Sequence, residues 1–252
     1  GSFTTGKEIA KKIYNYEAPM YVMYDFVRSK GVKEKMSKSM GNVLTIDNVE
    51  EVYEPEIVRY LFVSTRPNKG FDISFDNDVI KIYEDFDELE RKYYENKANP
   101  QERRKYELCV LKVRKNQPKR NGFRHLITVV QTGKLKGLTK EQKIRAEKVK
   151  NWLDKYAGDD MKFKIQEKIN IELKEKEKEA LRLLKEKLKT NDYNEDELLN
   201  EFYDISQKVG IGSKEFFEVA YRVIINKRKG PRLANIILAA GKDKIIKLLE
   251  QI

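Results

Sequence analysis

The most informative stretch of the chain reads Lys35-Met36-Ser37-Lys38-Ser39, followed by Met40-Gly41-Asn42. Two lysines and two hydroxyls on a short loop that ends in glycine can close over the phosphates of a nucleotide. Upstream, residues 20–27 (MYVMYDFV) form an aromatic and β-branched run that predicts a buried strand. With a helix over residues 6–14, this strand predicts the last piece of a doubly wound α/β sheet. The alternative is an ordinary lysine-rich surface loop, in a chain with 52 Lys and Arg residues.

The five loop residues match, without a substitution, the KMSKS signature of class I aminoacyl-tRNA synthetases. In such enzymes the carboxylate of an amino acid attacks the α-phosphorus of ATP, and pyrophosphate leaves. The resemblance implies that Lys38, with Lys35 beside it, meets the charge on the leaving phosphates, and that Ser37 and Ser39 donate hydrogen bonds. Met36 packs near the adenine or anchors the loop to the core; the sequence favours neither.

Glycines bracket this loop at Gly31 and Gly41, and they permit the backbone to swing as a lid must. Because a group that acts only on developing charge affects the chemical step, we expect Lys38→Ala to lower turnover more than nucleotide affinity.

Composition places the chain among folded proteins with a polyanionic partner. It has 252 residues, 40% of them hydrophobic, and a formal net charge of +11, which favours nucleic acid over a membrane as the partner. No apolar run is long enough for a spanning helix, and no signal peptide is evident. The single cysteine, Cys109, excludes an internal disulfide and suggests a cytoplasmic location. With one histidine, His125, as well, a protein-bound metal site is not expected.

Local patterns predict the elements that follow the loop. Asp47 and Glu50 form a candidate capping box, and Pro55 fits the first position of the next helix, which runs to about residue 64. Residues 66–70 (RPNKG) predict a turn, and Phe71 to Phe75 alternate as in a short strand. The 3.6-residue period then predicts helices at about 77–96, 101–114, 122–131, 139–157, 161–189, 195–209, 213–229 and 232–251. The Lys/Glu-rich stretch 164–190 is most simply a solvated helix.

Several segments carry a closer resemblance, to the C-terminal half of class I lysyl-tRNA synthetases of the archaeal type. They are residues 1–9 (GSFTTGKEI), 17–27, 54–60 (EPEIVRY) running into 66–69 (RPNK), and 229–232 (KGPR) after Tyr221-Arg222. The likeness is specific over residues 1–70, fair over 213–240 and weak between about 95 and 210.

The resemblance implies a mainly α fold. The C-terminal remnant of a Rossmann-type catalytic domain with the KMSKS loop would occupy residues 1–75. A helical stem-contact region would follow at 76–150, and an α-helical anticodon-binding cage at 151–252. It also implies lysine, ATP with Mg²⁺, and tRNA-Lys as substrates.

One departure from the family pattern concerns the catalytic machinery. Class I synthetases carry a second signature, of the His-x-Gly-His kind, and a chain whose single histidine is His125 cannot contain it. By itself the chain is therefore not expected to make lysyl-adenylate. Either a separate chain supplies the N-terminal catalytic half or the sequence is a fragment of a longer protein.

Candidate tRNA contacts lie near the end of the chain. A basic cluster of Arg222, Lys227, Arg228 and Arg232, with Lys229 among them, can bind phosphates, although basic residues also favour helix C-termini. Gly230 and Pro231 also fit a helix end and the start of the next helix. Phe217 and Tyr221 are candidates to stack an unpaired base, whereas Phe216 with Val219, Ala220 and Val223 is better explained as core.

Other basic residues have an ordinary structural alternative. Residues 115–124 can contact RNA or form a plain basic loop. Arg59 can reach the tRNA or the active-site edge, or equally form a surface salt bridge, and His125 is more simply structural or solvated than catalytic. Two further functions remain open for the whole chain: a glutamyl-type class I synthetase fragment, and a stand-alone tRNA-binding module.

Overall fold

The computed structural model describes residues 2–32 and 43–252. Within these residues the protein is mainly helical, with twelve helices and one two-stranded sheet, which confirms the expected fold class. The helices are α1 Ser2–Tyr14, α2 Ile46–Val52, α3 Pro55–Ser64, α4 Asp78–Tyr94, α5 Pro100–Cys109, α6 Phe123–Thr132, α7 Lys140–Lys155, α8 Glu175–Thr190, α9 Glu195–Val209, α10 Ser213–Ile225, α11 Leu233–Ala240 and α12 Lys242–Leu249. The strands are β1 Val27–Ser29 and β2 Phe71–Ile73.

The segment between α1 and β1 is not a buried strand, so the prediction over residues 20–27 is wrong. Residues 15–26 have no regular secondary structure, and Met20 and Tyr24 are 92% and 83% exposed. A strand needs a neighbour for its backbone hydrogen bonds and a layer on which its side chains pack. Among the described residues β1 pairs with β2 alone, and β2 is three residues long.

The two strands run parallel, with Val27 opposite Phe71 and Ser29 opposite Ile73. Parallel neighbours require a crossover connection, and here the connection contains α2 and α3. The strand predicted over residues 71–75 is present as β2, but it ends at Ile73. This small parallel sheet is the α/β part of the described fold.

The cap of α2 differs from the predicted one. Thr45 is the N-cap: its side chain accepts a hydrogen bond from the Asn48 backbone N–H, and the Asn48 side chain accepts one from the Thr45 N–H. Asp47 lies in the first turn instead of capping it, which suits the positive end of the helix dipole. Pro55 occupies the first turn of α3, as predicted.

The first of two hydrophobic cores is built by α2 to α7 and β2. It is rich in aromatic rings, including the single tryptophan, and all of the following side chains are at most 1% exposed: Val52, Tyr53, Ile57, Val79, Tyr83, Phe86, Tyr106, Phe123, Leu126, Ile127, Val149 and Trp152.

The second core is built by α8 to α12 together with the segment before α8. Its residues are mostly aliphatic, and the most buried are Ala180, Leu181, Leu184, Leu198, Phe202, Phe216, Ala220, Ile224, Ile236, Ile237, Ile245 and Leu249. Since Leu181 and Leu184 are fully buried, α8 is an amphipathic core helix, and the prediction of a merely solvated helix over residues 164–190 is wrong.

No helix is formed over residues 161–174, although one was predicted there. Phe163 and Ile165 are buried on either side of the exposed Lys164, and the Gln166 N–H donates to the Ile224 carbonyl at 2.8 Å. The segment therefore crosses the second core in an irregular, partly extended form.

The final helices are also shorter than predicted. α10 ends at Ile225 because Asn226 adopts a left-handed conformation, with φ of 54°. The predicted helix over 232–251 is two helices, separated at Gly241, whose φ of 88° no helix accommodates. The predicted domain boundaries at 75/76 and 150/151 stay predictions. Along the chain, the last residue that packs in the first core is Met161 and the first in the second core is Phe163.

Candidate functional site

The predicted nucleotide loop, with Lys35, Met36, Ser37, Lys38 and Ser39, lies outside the described residues, and so does Gly41. Both of its flanks are described. On the N-terminal side, Gly31 has a φ of 82°, in the left-handed region that favours glycine. On the C-terminal side, the cap at Thr45 starts α2. The loop is therefore carried between the end of a parallel strand and the start of a helix.

Lys30 attaches the N-terminal flank to α4. Its ammonium pairs with Asp76 at 2.7 Å and with Asp78, and its backbone N–H donates to the Ile73 carbonyl at 2.9 Å. Hydrogen bonds from Lys30 and from the Ser74 hydroxyl lower the pKa of Asp76 from 3.8 to about 2. The carboxylate thus stays charged down to strongly acidic pH, and the flank stays attached.

The predicted tRNA-binding cations lie around the end of α10. Arg228 is 87% exposed and 3.7 Å from Glu218, and Arg232 is 78% exposed and 2.8 Å from Glu195. Lys227 donates to the Asp159 carbonyl. Arg222 is half-buried and forms no ion pair with any described residue. Since exposed pairs exchange partners at little cost, Arg228 and Arg232 are available to a phosphate.

The two candidate stacking residues differ in their surroundings. The Phe217 ring belongs to an aromatic group with Phe202, Tyr203 and Phe216, at centroid distances of 5.7 to 5.9 Å. Tyr221 is half-buried, burial raises the pKa of its hydroxyl, and that hydroxyl donates to the Pro231 carbonyl at 2.7 Å. Within the group around Phe217, Tyr203 is the most exposed residue, at 43%, and the sequence interpretation did not select it.

Gly230 lies beyond the end of α10, and a side chain there would require the Ile225 side chain to shift. A Cβ atom there would lie 2.7 Å from Ile225 Cδ1 and 3.4 Å from Tyr221 Cε1. Next to it, Lys229 and Arg232 line a groove of about 880 Å³ together with Arg124 and His125 of α6. His125 is exposed, so the interpretation as a solvated histidine fits its position. The groove brings the basic cluster beside the first core.

The remaining basic candidates are mostly structural. Arg59 Nε donates to the carbonyl of Cys109, the last residue of α5, at 2.6 Å, and it forms no salt bridge with a described residue. Arg124 pairs with Glu84 at 2.8 Å. Arg120 has a side chain only 7% exposed and pairs with Glu54 at 2.7 Å, so it is an internal residue.

A buried ionic cluster was missed by the sequence interpretation. Arg145 is 0% exposed, donates to Glu54 at 2.6 Å and to Asp87 at 2.8 Å, and shares Glu54 with Arg120. Glu90 accepts from the Tyr106 hydroxyl at 2.9 Å and lies 3.8 Å from Arg120. Burial raises the pKa of both Asp87 and Glu90, and the neighbouring arginines partly offset that effect. No local pattern identifies these residues, because the partners are as many as 91 positions apart.

The described residues contain neither a metal-binding cluster nor a membrane-spanning helix. No set of three or more His, Cys, Asp or Glu side chains in residues 2–32 and 43–252 is placed to bind a metal ion. In the same residues no helix combines the length and apolar character needed to cross a membrane.

Two family models match the chain in succession. Residues 1–112 match the family described as tRNA synthetases class I (K), and residues 123–252 match the anticodon binding domain. The first match contains the KMSKS residues and the parallel strand pair, and the second contains the basic cluster and the second core.

Curated relatives agree with both models. The chain is 39% identical to a lysine–tRNA ligase of Borrelia garinii subsp. bavariensis, with 100% of the chain and 52% of the relative covered. It is 37% identical to a lysine–tRNA ligase of Thermococcus kodakarensis, with 98% and 52% covered. A lysine–tRNA ligase of Treponema pallidum is 38% identical, with 99% and 52% covered. The chain spans about half the length of these relatives, corresponding to their C-terminal half. It therefore belongs to the class I lysyl-tRNA synthetase family, with a class I synthetase segment followed by an anticodon-binding domain.

Proposed function

We propose that the chain is the C-terminal part of a class I lysine–tRNA ligase and supplies its ATP-phosphate loop and its tRNA-binding module. The observation that carries this proposal is the ordered match of residues 1–112 and 123–252 to the two halves of such a module, across nearly the whole chain. A stand-alone tRNA-binding module would have no use for an intact KMSKS loop, which favours the ligase.

In this proposal Lys38 and Lys35 stabilise the charge that develops on the leaving pyrophosphate of ATP, which binds with Mg²⁺. Ser37 and Ser39 donate hydrogen bonds to the phosphates, and Met36 packs near the adenine or anchors the loop to the core. The ion pairs of Lys30 with Asp76 and Asp78 support this role, because they attach one end of the loop to the first core. A loop with one attached end can close on the nucleotide without carrying the rest of the fold with it.

Making the adenylate also requires the N-terminal half of the catalytic domain, because a chain with His125 as its single histidine lacks the His-x-Gly-His-type signature. An apolar face supports this requirement. Tyr14, Met20, Val22, Met23 and Tyr24 are between 59% and 92% exposed, and they precede a β1 strand that has one neighbour among the described residues. A surface of this kind marks an interaction site. We propose that the N-terminal half covers it, whether as part of the same protein or as a separate chain.

At the other end of the molecule, the proposal places the tRNA anticodon against the second core. Arg222, Lys227, Arg228 and Arg232 would contact phosphates, and Phe217 and Tyr221 would contact bases. The exposure of Arg228 and Arg232 supports this assignment, as does the groove that Arg232 and Lys229 line. The likeness to lysine–tRNA ligases makes tRNA-Lys the expected tRNA and lysine the expected amino acid.

The test is binding of the chain to tRNA-Lys, to tRNA-Glu and to a tRNA-Lys with a changed anticodon, at near-physiological salt. We expect tRNA-Lys to bind most tightly and the anticodon change to remove that preference. Equal and strongly salt-dependent binding to all three would instead mean nonspecific attraction by the +11 charge. A preference for tRNA-Glu would favour the glutamyl-type alternative.

A pair of variants sharpens this test. The test variant combines Arg228→Ala with Arg232→Ala and removes two exposed cations of the cluster. The control variant combines Lys244→Ala with Lys247→Ala and removes two exposed cations of α12 that form no ion pair with described residues. We expect only the first pair to weaken tRNA-Lys binding, by on the order of tenfold. Equal losses in both would argue against a localised contact.

A further inference from the structure

Helix α2, the first element after the nucleotide loop, is held at its C-terminal end by side chains of another helix. The carbonyls of a helix's last turn have no N–H partner within the helix, and α2 is only seven residues long. Two of these carbonyls accept hydrogen bonds from α7. Lys148 Nζ donates to the Glu50 carbonyl, and Asn151 Nδ2 donates to the Glu51 carbonyl at 2.9 Å. Side chains of α7 therefore cap this end of α2.

The contacts with α2 come from one face of α7. Lys148, Asn151 and Lys155 are three and four positions apart, which places them in a row along the helix. Lys155 adds an ion pair with the Glu51 side chain at 2.7 Å. Lys148 and Asn151 are half-buried, and Trp152, on the neighbouring face, is 0% exposed. Because α7 is fixed in the first core by such side chains, it is a firm support for α2.

The same helix also reaches the other flank of the loop. Trp152 Nε1 donates to the Phe75 carbonyl at 2.9 Å. Phe75 is followed by Asp76, which pairs with Lys30 at 2.7 Å on the N-terminal flank. Adjacent residues of α7, Asn151 and Trp152, thus bind the two sides from which the loop is carried. The position of each loop end relative to the other depends on α7.

The distance between the ends of a catalytic loop matters for its chemistry. A group that stabilises developing charge acts over hydrogen-bond distances, and a misplacement of about 1 Å can cost a large factor in rate. In the proposed function Lys35 and Lys38 are such groups. A displaced α2 would move the residue at which the loop ends, and the two ammonium groups would then meet the phosphates less well.

We infer that Asn151, together with Lys148, is a positioning residue for the nucleotide loop. The two side chains hold the C-terminal end of α2 against α7 and thereby fix the place where the loop ends. The inference rests on the proposed function, because that function gives the loop its role. Asn151 acts through α2 and is not a catalytic residue. It is the better residue to test, because its replacement changes no charge.

The test uses the complete catalytic domain, which is this chain together with the N-terminal half, and measures ATP–pyrophosphate exchange with lysine and tRNA-Lys present. Asn151→Leu has a similar volume and no hydrogen-bond donor. We expect it to lower the turnover number by on the order of tenfold, with little change in KM for ATP. Asn151→Gln keeps an amide donor and should recover most of the turnover. Thermal melting selects an assay temperature at which every variant is folded.

The matched control is Asn191→Leu. The Asn191 amide donates to the Lys187 carbonyl at 3.3 Å, so it makes the same kind of contact at the end of α8, in the second core. Its loss should leave turnover unchanged. Hydrogen–deuterium exchange of the chain by itself adds a measurement without catalysis. In Asn151→Leu the amides of α2 should exchange faster than in the unchanged chain, while those of α9 should not.

Four outcomes would overturn the inference: unchanged turnover in Asn151→Leu, an equal loss in Asn191→Leu, a loss confined to KM for ATP, or unaltered hydrogen–deuterium exchange of α2. Each of them, with an active unchanged enzyme, leaves the proposed function standing. If the unchanged chain and the N-terminal half together give no ATP–pyrophosphate exchange, the proposed function fails, and the inference fails with it.

Discussion

At the scale of single residues, Arg145 connects three parts of the first core. From α7 its guanidinium reaches Glu54, the N-cap of α3, and Asp87 of α4. Burial opposes the charged form of Arg145, but the two carboxylates more than compensate and raise its pKa. A buried charge of this kind has to stay paired. The ion pairs therefore hold the N-terminus of α3 and helix α4 next to α7.

We expect Arg145→Met to lower the free energy of unfolding by about 3–5 kcal/mol, because Asp87 loses its cation and Glu54 keeps only Arg120 as a partner. The measurement is urea denaturation followed by circular dichroism. Arg124→Met is the control: its pair with Glu84 is 2.8 Å long but exposed, and its loss should change stability little. Similar losses of unfolding free energy in the two variants would show that the buried ion pairs of Arg145 stabilise the fold no more than the exposed pair of Arg124.

Asp76 provides a prediction about pH. Its pKa is lowered from 3.8 to about 2 in the folded protein, first by Lys30 and then by Ser74. Between these two values the unfolded chain binds more protons than the folded chain, so this group's contribution is present above about pH 4 and is lost as the pH falls toward 2.

We therefore expect Asp76→Asn to flatten the fall in stability between pH 4 and pH 2. The effect should be modest, since both partners are exposed and solvent screens the pair. Thermal melting across this range measures it. Asp154→Asn, an exposed change without an ion pair to described residues, is the control and should leave the profile unaltered. A profile as steep in Asp76→Asn as in the unchanged chain would contradict the prediction.

At the scale of elements, the segment from Phe163 to Leu173 shows how two periodicities compete. Apolar and polar residues alternate in this segment, with one interruption at Glu167. The apolar residues all pack against the second core: Phe163, Ile165, Ile169, Ile171 and Leu173. That spacing of two is typical of an extended chain with one buried side. The Lys/Glu-rich sequence of α8 suggested that one long helix covers the whole region. The alternation in the segment before α8 indicated instead that this segment is not helical.

Gly241 separates two helices, α11 and α12, that otherwise follow one another directly in the chain. With φ of 88° and ψ of 131° it adopts a conformation that residues with a Cβ atom rarely reach, although no atom lies within 4 Å of the position where that Cβ would be. The glycine is therefore needed for its backbone freedom and not for close packing. It turns α12 back so that Ile245 and Leu249 enter the core.

We expect Gly241→Ala to lower the free energy of unfolding by about 1–3 kcal/mol, as backbone strain of this kind typically costs. Gly212→Ala is the control, because Gly212 has an ordinary φ of −65° and equally free space around it. That change should cost about 0.5–1 kcal/mol, roughly the difference between Gly and Ala at an N-cap, and so less than the change at Gly241. Chemical denaturation of both variants measures their free energies of unfolding. Equal values would contradict the requirement for glycine's backbone freedom at position 241.

At the scale of the whole molecule, the described chain is organised around two separate cores. The contact between them involves α6 and α11 and a few hydrogen bonds, such as Phe163 N–H to Gln131 Oε1 at 2.6 Å. The aromatic first core contains Trp152, while the aliphatic second core contains no tryptophan. The two parts can therefore be observed separately.

We expect urea unfolding monitored by Trp152 fluorescence and by far-UV circular dichroism to give transitions that do not coincide. Fluorescence reports the first core, whereas circular dichroism reports the helices of both, and the limited contact couples them weakly. Coincident transitions with equal slopes would show instead that the cores unfold as one unit. Arg145→Met provides a check, because it should shift the fluorescence transition more than the circular dichroism transition.

The sequence by itself determined the family, the order of the parts and most helices, since signatures, apolar periods and glycines are local properties. Three features were predicted from the sequence without any tertiary information. They are the KMSKS signature at residues 35–39, Pro55 at the start of α3, and the helix over residues 195–209. The sequence also identified the cations near the end of α10 as candidates.

Tertiary structure alone decided which cations are free and which are internal. Arg120 and Arg124 stand four positions apart in one basic segment, yet one is buried against Glu54 and the other pairs at the surface with Glu84. The same holds for residues 20–27, whose apolar sequence predicted a buried strand that the described fold leaves exposed. Burial and charge pairing depend on partners that lie tens of residues away, and a strand depends on its neighbours, so no local pattern contains that information.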